Sequence, residues 1–158
     1  MNIFVSSFDP KEAAKALDDK RLIKMILETA QILSTNINLA GLRPGPYRTT
    51  HANHPCTKWA RECHENYLWL CAHFSCLCNE YTNRFHKIHK CSQYRELFYN
   101  CSTDLIYNKQ GFTSFPNCTV FKDIKETTRA YRLYLNKKWT EDKRKPKWTN
   151  TLPPEWIK

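Results

Sequence analysis

Glycine is scarce in this chain, with three in 158 residues, and none lies in a loop that could cradle a phosphate. Gly-x-Ser-x-Gly and His-Glu-x-x-His are both missing, and so is His-x-Glu paired with Pro-Cys-x-x-Cys. These absences exclude P-loop nucleotide hydrolysis, serine esterase chemistry, zincin proteolysis and zinc-dependent base deamination. No apolar run approaches the roughly 20 residues that span a bilayer. The opening residues Met1 to Pro10 carry no basic segment and only a short apolar stretch, so no secretory signal is read and a cytoplasmic location is expected. Acidic residues are in deficit as well: 15 Asp+Glu against 25 Lys+Arg leave a net charge of +10. Such a field concentrates polyanions and favours nucleic acid over membrane as the partner.

A hydrophobic content of 41% excludes disorder. A chain of this length buries roughly two-thirds of its unfolded surface as one domain, here residues 1–158. No segment alternates as a strand pair does, so the expected architecture is all-α, a compact helical bundle. Asp9-Pro10 opens a helix running to about Asn36, with a break near Asp18-Asp19. Gly41 to Tyr47 form a loop. Pro55 opens a second helix to about Asn83, striped by Trp59, Cys63, Tyr67, Leu70, Phe74 and Cys78. A shorter helix over Ile88–Tyr99, a loop over Asn100–Pro116 and a last helix over Lys122–Lys138, with Ile124, Thr128, Tyr131 and Leu135 inward, complete the body. Residues 139–158, rich in Lys, Pro and Trp, read as an extended basic tail.

Eight cysteines in a reducing compartment are thiols or metal ligands. Two groups approach zinc-ligand spacing: His51, His54 and Cys56 with Cys63, and Cys76 and Cys78 with His86, His89 and Cys91. Neither has paired Cys-x-x-Cys steps, and Cys56, Cys63, Cys71 and Cys78 recur at helical intervals. The cysteines are therefore read as small buried hydrophobes, with no metal and no cofactor expected.

Three surfaces carry the charge. On a helical wheel Lys20, Arg21, Lys24, Glu28 and Gln31 share one arc, opposite Leu22, Ile23, Ile26, Leu27, Ala30 and Leu33. This is either a solvated face with a Lys24–Glu28 pair or an active face on which cations hold phosphates around one carboxylate. His51, His54, Lys58 and Arg61 surround the second helix start, where free N–H groups favour an anion. In the tail, lysines and arginine alternate with Trp139, Trp148 and Trp156, which either stack on exposed bases or pack on the core.

The run Leu17-Asp18-Asp19-Lys20-Arg21-Leu22-Ile23-Lys24, leading to Glu28-Thr29-Ala30-Gln31-Ile32-Leu33, and then His54-Pro55 leading to Trp59, resembles the pyrimidine-dimer DNA glycosylases of phages and bacteria. Lys145 to Trp148 is similar to that family's basic aromatic tail, more loosely. The likeness is better to the family's uncharacterised branch than to its characterised phage enzyme. What the resemblance implies is an all-helical, cofactor-free glycosylase and AP lyase. Its expected partner is double-stranded DNA with a damaged or modified pyrimidine, bound by a monomer. In that chemistry a protein amine attacks C1′ of the nucleotide, an imine forms, and β-elimination cuts the strand. Glu28 matches the family's helix-borne glutamate, suited to stabilise charge on the sugar and to move protons. Arg21, Lys20 and Lys24 would hold flanking phosphates, and Trp148 or Trp139 would fill the gap left by an extruded nucleotide.

The family's nucleophile is the α-amine of a small residue exposed when the initiator methionine is removed, and Asn2 is a poor substrate for that removal. The amine is therefore that of Met1, that of Asn2, or a lysine such as Lys20 or Lys24. An α-amine ordinarily titrates near 8 against about 10.4 for lysine, which favours the terminus. A DNA- or RNA-binding protein of the same fold without catalysis is the alternative function, and a zinc-stabilised interaction domain a third.

Overall fold

The computed structural model describes residues 1–158, and its regular secondary structure is all helical, with no strand. Helix α1, Pro10–Ala16, starts where Asp9 accepts the Lys11 N–H at 2.8 Å and Pro10 supplies a preset first turn. The break foreseen near Asp18 is real: Leu17 and Asp18 are extended, and α2 runs over Asp19–Ala40. It continues past Asn36 and stops at Gly41, whose φ of 71° is the left-handed conformation glycine adopts freely. Asp18 precedes α2 without capping it, because its carboxylate is taken by Arg21 and by the Trp139 indole N–H, each at 2.8 Å.

The helix expected from Pro55 to Asn83 is two helices, α3 at Pro55–Ala60 and α4 at His64–Phe85. Cys63 is extended between them, and the buried Asn66 side chain fills the corner by donating to Trp59 O at 2.8 Å and Thr113 Oγ1 at 2.6 Å. Trp59, Cys63 and Tyr67 all still point inward, so the apolar period ran through the break without marking it. The helix expected over Ile88–Tyr99 is a 3-10 turn, Lys90–Tyr94, running into α5, Arg95–Asn100. The last helix, α6, covers Thr127–Glu141 rather than starting at Lys122, which leaves Ile124 in the preceding loop. Residues 139–141 thus belong to α6, and the tail begins at Asp142.

Helix α4 packs against both α1 and α2, and a cluster of 27 buried residues joins all six helices to Ile3 and Val5 of the amino-terminal segment. Arg84 of α4 is buried in this core, where it donates to Leu17 O at 2.8 Å, Lys15 O at 2.9 Å, Glu80 at 2.8 Å and Asp19 at 3.1 Å. One guanidinium so holds the end of α1, the start of α2 and its own helix together.

The tail folds back on this corner. Asp19 N–H donates to Lys147 O at 2.8 Å, Thr149 Oγ1 donates to Asp19 at 2.7 Å, and the Trp148 indole N–H donates to Ala16 O at 3.2 Å. Trp139 is buried, with Trp148 edge-on at 5.1 Å and Trp156 stacked at 5.6 Å. Of the two readings of the tail tryptophans, packing on the core is the one realised. Neither Trp139 nor Trp148 lines the cleft described below.

Candidate active site

Glu28 sits on the third turn of α2, where its side chain is 14% exposed. Burial of Ile3 and Val5 pins the amino-terminal segment against α2. The Asn2 side chain folds back to accept the Ile3 and Phe4 N–H groups at 2.8 and 3.1 Å, which braces the segment in place. Phe4 adopts a φ of 45°, a conformation a non-glycine residue holds only under tertiary constraint, and its ring stacks on Tyr134 of α6 at 6.1 Å. The outcome is convergence on one oxygen: the Asn2 N–H donates to Glu28 Oε2 at 3.1 Å, and the Met1 α-amine lies 3.9 Å from the same atom. Lys24 Nζ approaches Glu28 Oε1 at 3.3 Å, the pairing expected from their spacing.

These groups line a cavity of about 300 Å³ between α2, α6 and the amino-terminal segment. Met1, Asn2, Lys20, Arg21, Lys24 and Glu28 contribute to its walls, and so do Tyr134, which the sequence did not suggest, and Lys138, which the sequence placed only in the basic, tryptophan-containing stretch. Lys138 Nζ lies over the Tyr134 ring at 5.4 Å, giving the rim a cation held on an aromatic face. Lys20 and Lys24 are largely exposed.

Arg21 differs from the free phosphate ligand foreseen. It is buried and bound to Asp18 at 2.8 Å and Asp142 at 3.0 Å. Burial works against its charge, but the two carboxylates more than offset this and raise its pKa. Against the opposing effect of burial, the same contact with Arg21 lowers the pKa of Asp142. Arg21 therefore ties α2 to the start of the tail and lends the cavity a wall. Gln31, one turn beyond Glu28, is half-buried and outside the lining. Ile23 and Leu27, expected inside, are 43% and 40% exposed, because the buried face of α2 is centred on Leu22, Ile26, Ala30 and Leu33.

The second predicted cluster divides. Lys58 is exposed, and His51 is exposed with a φ of 48°, its ring bonded to Thr50 at 2.7 Å. His54 is half-buried and caps α3, its Nδ1 accepting the Cys56 N–H at 3.2 Å. Its pKa is lowered, first by burial and then by the positive charge of the chain's amino terminus. Cys63, the expected companion of His54 and Cys56, lies elsewhere as the cap of α4, and Cys118 takes its place. Cys56 Sγ and Cys118 Sγ are 3.7 Å apart. The thiol contact raises the pKa of Cys56, with burial adding to it, and lowers that of Cys118. The group around Cys76, Cys78, His86, His89 and Cys91 is not gathered: His89 caps the 3-10 turn and Cys91 meets the Tyr47 hydroxyl at 3.1 Å.

No curated protein and no solved structure matches the chain. The family described as pyrimidine dimer DNA glycosylase matches residues 1–93, which carry α1 to α4, Glu28 and the amino-terminal segment. Helix α6 and the tail, with Tyr134, Lys138 and Asp142, lie beyond that span. Since the match takes in 93 of the 158 residues, Glu28 and the amino-terminal segment among them, the chain belongs to the pyrimidine dimer DNA glycosylase family.

Proposed function

We propose that the protein is a DNA glycosylase with AP lyase activity on damaged or modified pyrimidines, and that an amine at the start of the chain is its nucleophile. The observation that carries this reading is the meeting of the Met1 α-amine and the Asn2 nitrogen at one oxygen of Glu28 inside a cavity rimmed by lysines. In the step proposed, the amine nitrogen bonds to C1′ and the bond from C1′ to the base breaks, the base leaving with the electron pair and gaining a proton. The amine then loses its proton as the sugar ring opens and the imine forms. Loss of a C2′ proton expels the 3′ oxygen with its phosphate and cuts the strand. Glu28 is positioned to orient the amine, offset positive charge on the sugar and carry protons between these stages.

The two termini compatible with this scheme differ in distance. With Met1 in place the amine stands 3.9 Å from Glu28 Oε2. With Met1 removed, the Asn2 nitrogen, already at 3.1 Å, becomes the amine, and the Met1 side chain, 2% exposed, vacates space for a sugar. Lys20, Lys24, Lys58 and Lys138 would contact phosphates as point charges, and binding would weaken steeply with salt. A nucleotide must leave the duplex stack for C1′ of the damaged site to reach the amine.

The test is borohydride trapping. Protein with its native amino terminus is mixed with duplex DNA carrying either an abasic site or a cyclobutane dimer, and reduced. A covalent protein–DNA adduct is expected, with Edman or mass analysis of the adducted peptide placing it on Met1 or Asn2. Absence of adduct and of strand cleavage on both substrates would refute the lyase and leave a DNA-binding protein. An adduct on a lysine would keep the lyase and remove the terminus.

A further inference from the structure

His54, Cys56 and Cys118 bring one ring nitrogen and two sulfurs within 4.8 Å of one another. Two of these residues stand at the start of α3, and the third comes from a loop 62 positions further along the chain. Tetrahedral zinc with sulfur at about 2.3 Å separates its two thiolates by about 3.8 Å, and Cys56 Sγ to Cys118 Sγ is 3.7 Å. The sulfurs thus already stand at the edge length of such a polyhedron.

The loop bearing Cys118 is held in shape independently of any ion. The Cys118 N–H donates to the Tyr131 hydroxyl at 3.3 Å, and that hydroxyl donates to Pro116 O at 3.1 Å. Asn117 accepts the Thr119 N–H at 3.0 Å and donates to Phe121 O at 2.9 Å. A ligand on a braced loop loses little entropy on binding. In the absence of an ion the His54 Nδ1 lone pair accepts the Cys56 N–H at 3.2 Å, so an ion bound by this imidazole takes the place of that hydrogen bond. A disulfide would need only the two sulfurs, and the convergent imidazole is what distinguishes a metal site from an oxidisable pair.

We propose that His54, Cys56 and Cys118 bind a thiophilic divalent cation of the zinc class, with the fourth position taken by water. On binding, each thiol S–H bond breaks and its proton passes to solvent, His54 gives up its hydrogen bond from the Cys56 N–H, two sulfur–metal bonds and one ring nitrogen–metal bond form, and nothing is oxidised or reduced. The site is distinct from the cavity at Glu28 and does not depend on the reaction proposed there. It is adjacent to it, since Thr57, next to Cys56, donates to Met1 Sδ at 3.8 Å, and Tyr131 packs edge-on against Phe4 at 6.3 Å. The ion would tie α3 and the Cys118 loop together behind the amino-terminal segment, fixing the wall against which Met1 rests.

The probe is cobalt(II), added to the reduced full-length protein without oxygen. One equivalent is expected to produce intense thiolate-to-cobalt charge-transfer absorption with the visible spectrum of a tetrahedral ion, bleached by one equivalent of zinc. The absorption should be lost in Cys118→Ser and kept in Cys76→Ser, whose thiol lies on α4 outside the cluster. His54→Asn provides a second variant that folds independently of the ion, because asparagine retains the helix cap while removing the imidazole, and it too should lose the tetrahedral spectrum. Absence of charge-transfer absorption in the wild-type protein, or its full retention in Cys118→Ser, overturns the proposal. A disulfide between Cys56 and Cys118 in metal-free protein alkylated directly from cells overturns it in favour of a redox pair.

Discussion

His73 couples the amino-terminal half of the fold to pH. It is fully buried on α4, its ring lies 5.0 Å from that of Trp69, and its Nδ1–H donates to Pro10 O at 3.1 Å while Nε2 has no partner. A second proton would place a charge and an unpaired N–H in the core, so burial lowers its pKa to about 4 from 6.5. Because the folded pKa is the depressed one, the stabilisation is whole above the unfolded value and is lost as pH falls from there through about 4. A gap of about 2.5 units is worth about 3 kcal/mol in all, and about 2 kcal/mol of it is gone by pH 5. Urea unfolding followed by circular dichroism at pH 7.5 and pH 5 should show this loss as a lower midpoint at unchanged slope. His54 and His89, also lowered by burial, add in the same direction. The discriminating variant is His73→Gln: less stable at pH 7.5, it should recover most of the difference between the two pH values. An identical acid loss in wild type and variant would refute the assignment to His73.

Glu28→Gln should reduce strand cleavage at an abasic site by on the order of 100-fold or more, as expected for loss of a positioned proton carrier, while duplex binding in a gel-shift assay stays near wild type. Unchanged cleavage would take Glu28 out of the mechanism. Arg84→Met strands the carboxylates of Asp19 and Glu80 and two main-chain carbonyls at the helix corner, and should cost about 3–5 kcal/mol in urea unfolding; a loss below about 1 kcal/mol would show that water replaces the guanidinium. Gly45→Ala should cost about 1–3 kcal/mol, because its Cβ would stand 2.7 Å from Ser34 O on the backbone of α2, and a wild-type melting temperature would mean that the loop simply moves away.

Local chemistry in the sequence was legible wherever a residue acts on its neighbours. Asp9-Pro10, His54-Pro55 and Gly41 mark helix ends through capping and backbone preference, and Lys24 meets Glu28 because four residues make one turn. What could not be read is long-range pairing. The second carboxylate on Arg21 comes with Asp142 from the tail, and Cys56, grouped with Cys63 by spacing, meets Cys118 only when the chain returns. Tyr134 and Lys138 reach the cavity only because Phe4, itself held in an unusual conformation, draws α6 over the amino-terminal segment. The end of α3 was hidden for the opposite reason: Asn66 turns the chain with polar bonds while the apolar stripe continues past the turn.

The carbonyl of Lys147 that receives the Asp19 N–H gives the basic tail a second duty. Asp18 has no cap to offer, so the first turn of the helix that carries Glu28 is closed by a residue from the far end of the chain. Deleting the tail would therefore remove cations and fray the helix that carries Glu28 in the same stroke. A truncated protein that fails to cut DNA would then report a loosened glutamate as readily as a missing phosphate contact. Exchanging the exposed Lys143, Arg144 and Lys145 for glutamines at constant backbone separates the two effects, because the charge departs while the closure of α2 stays.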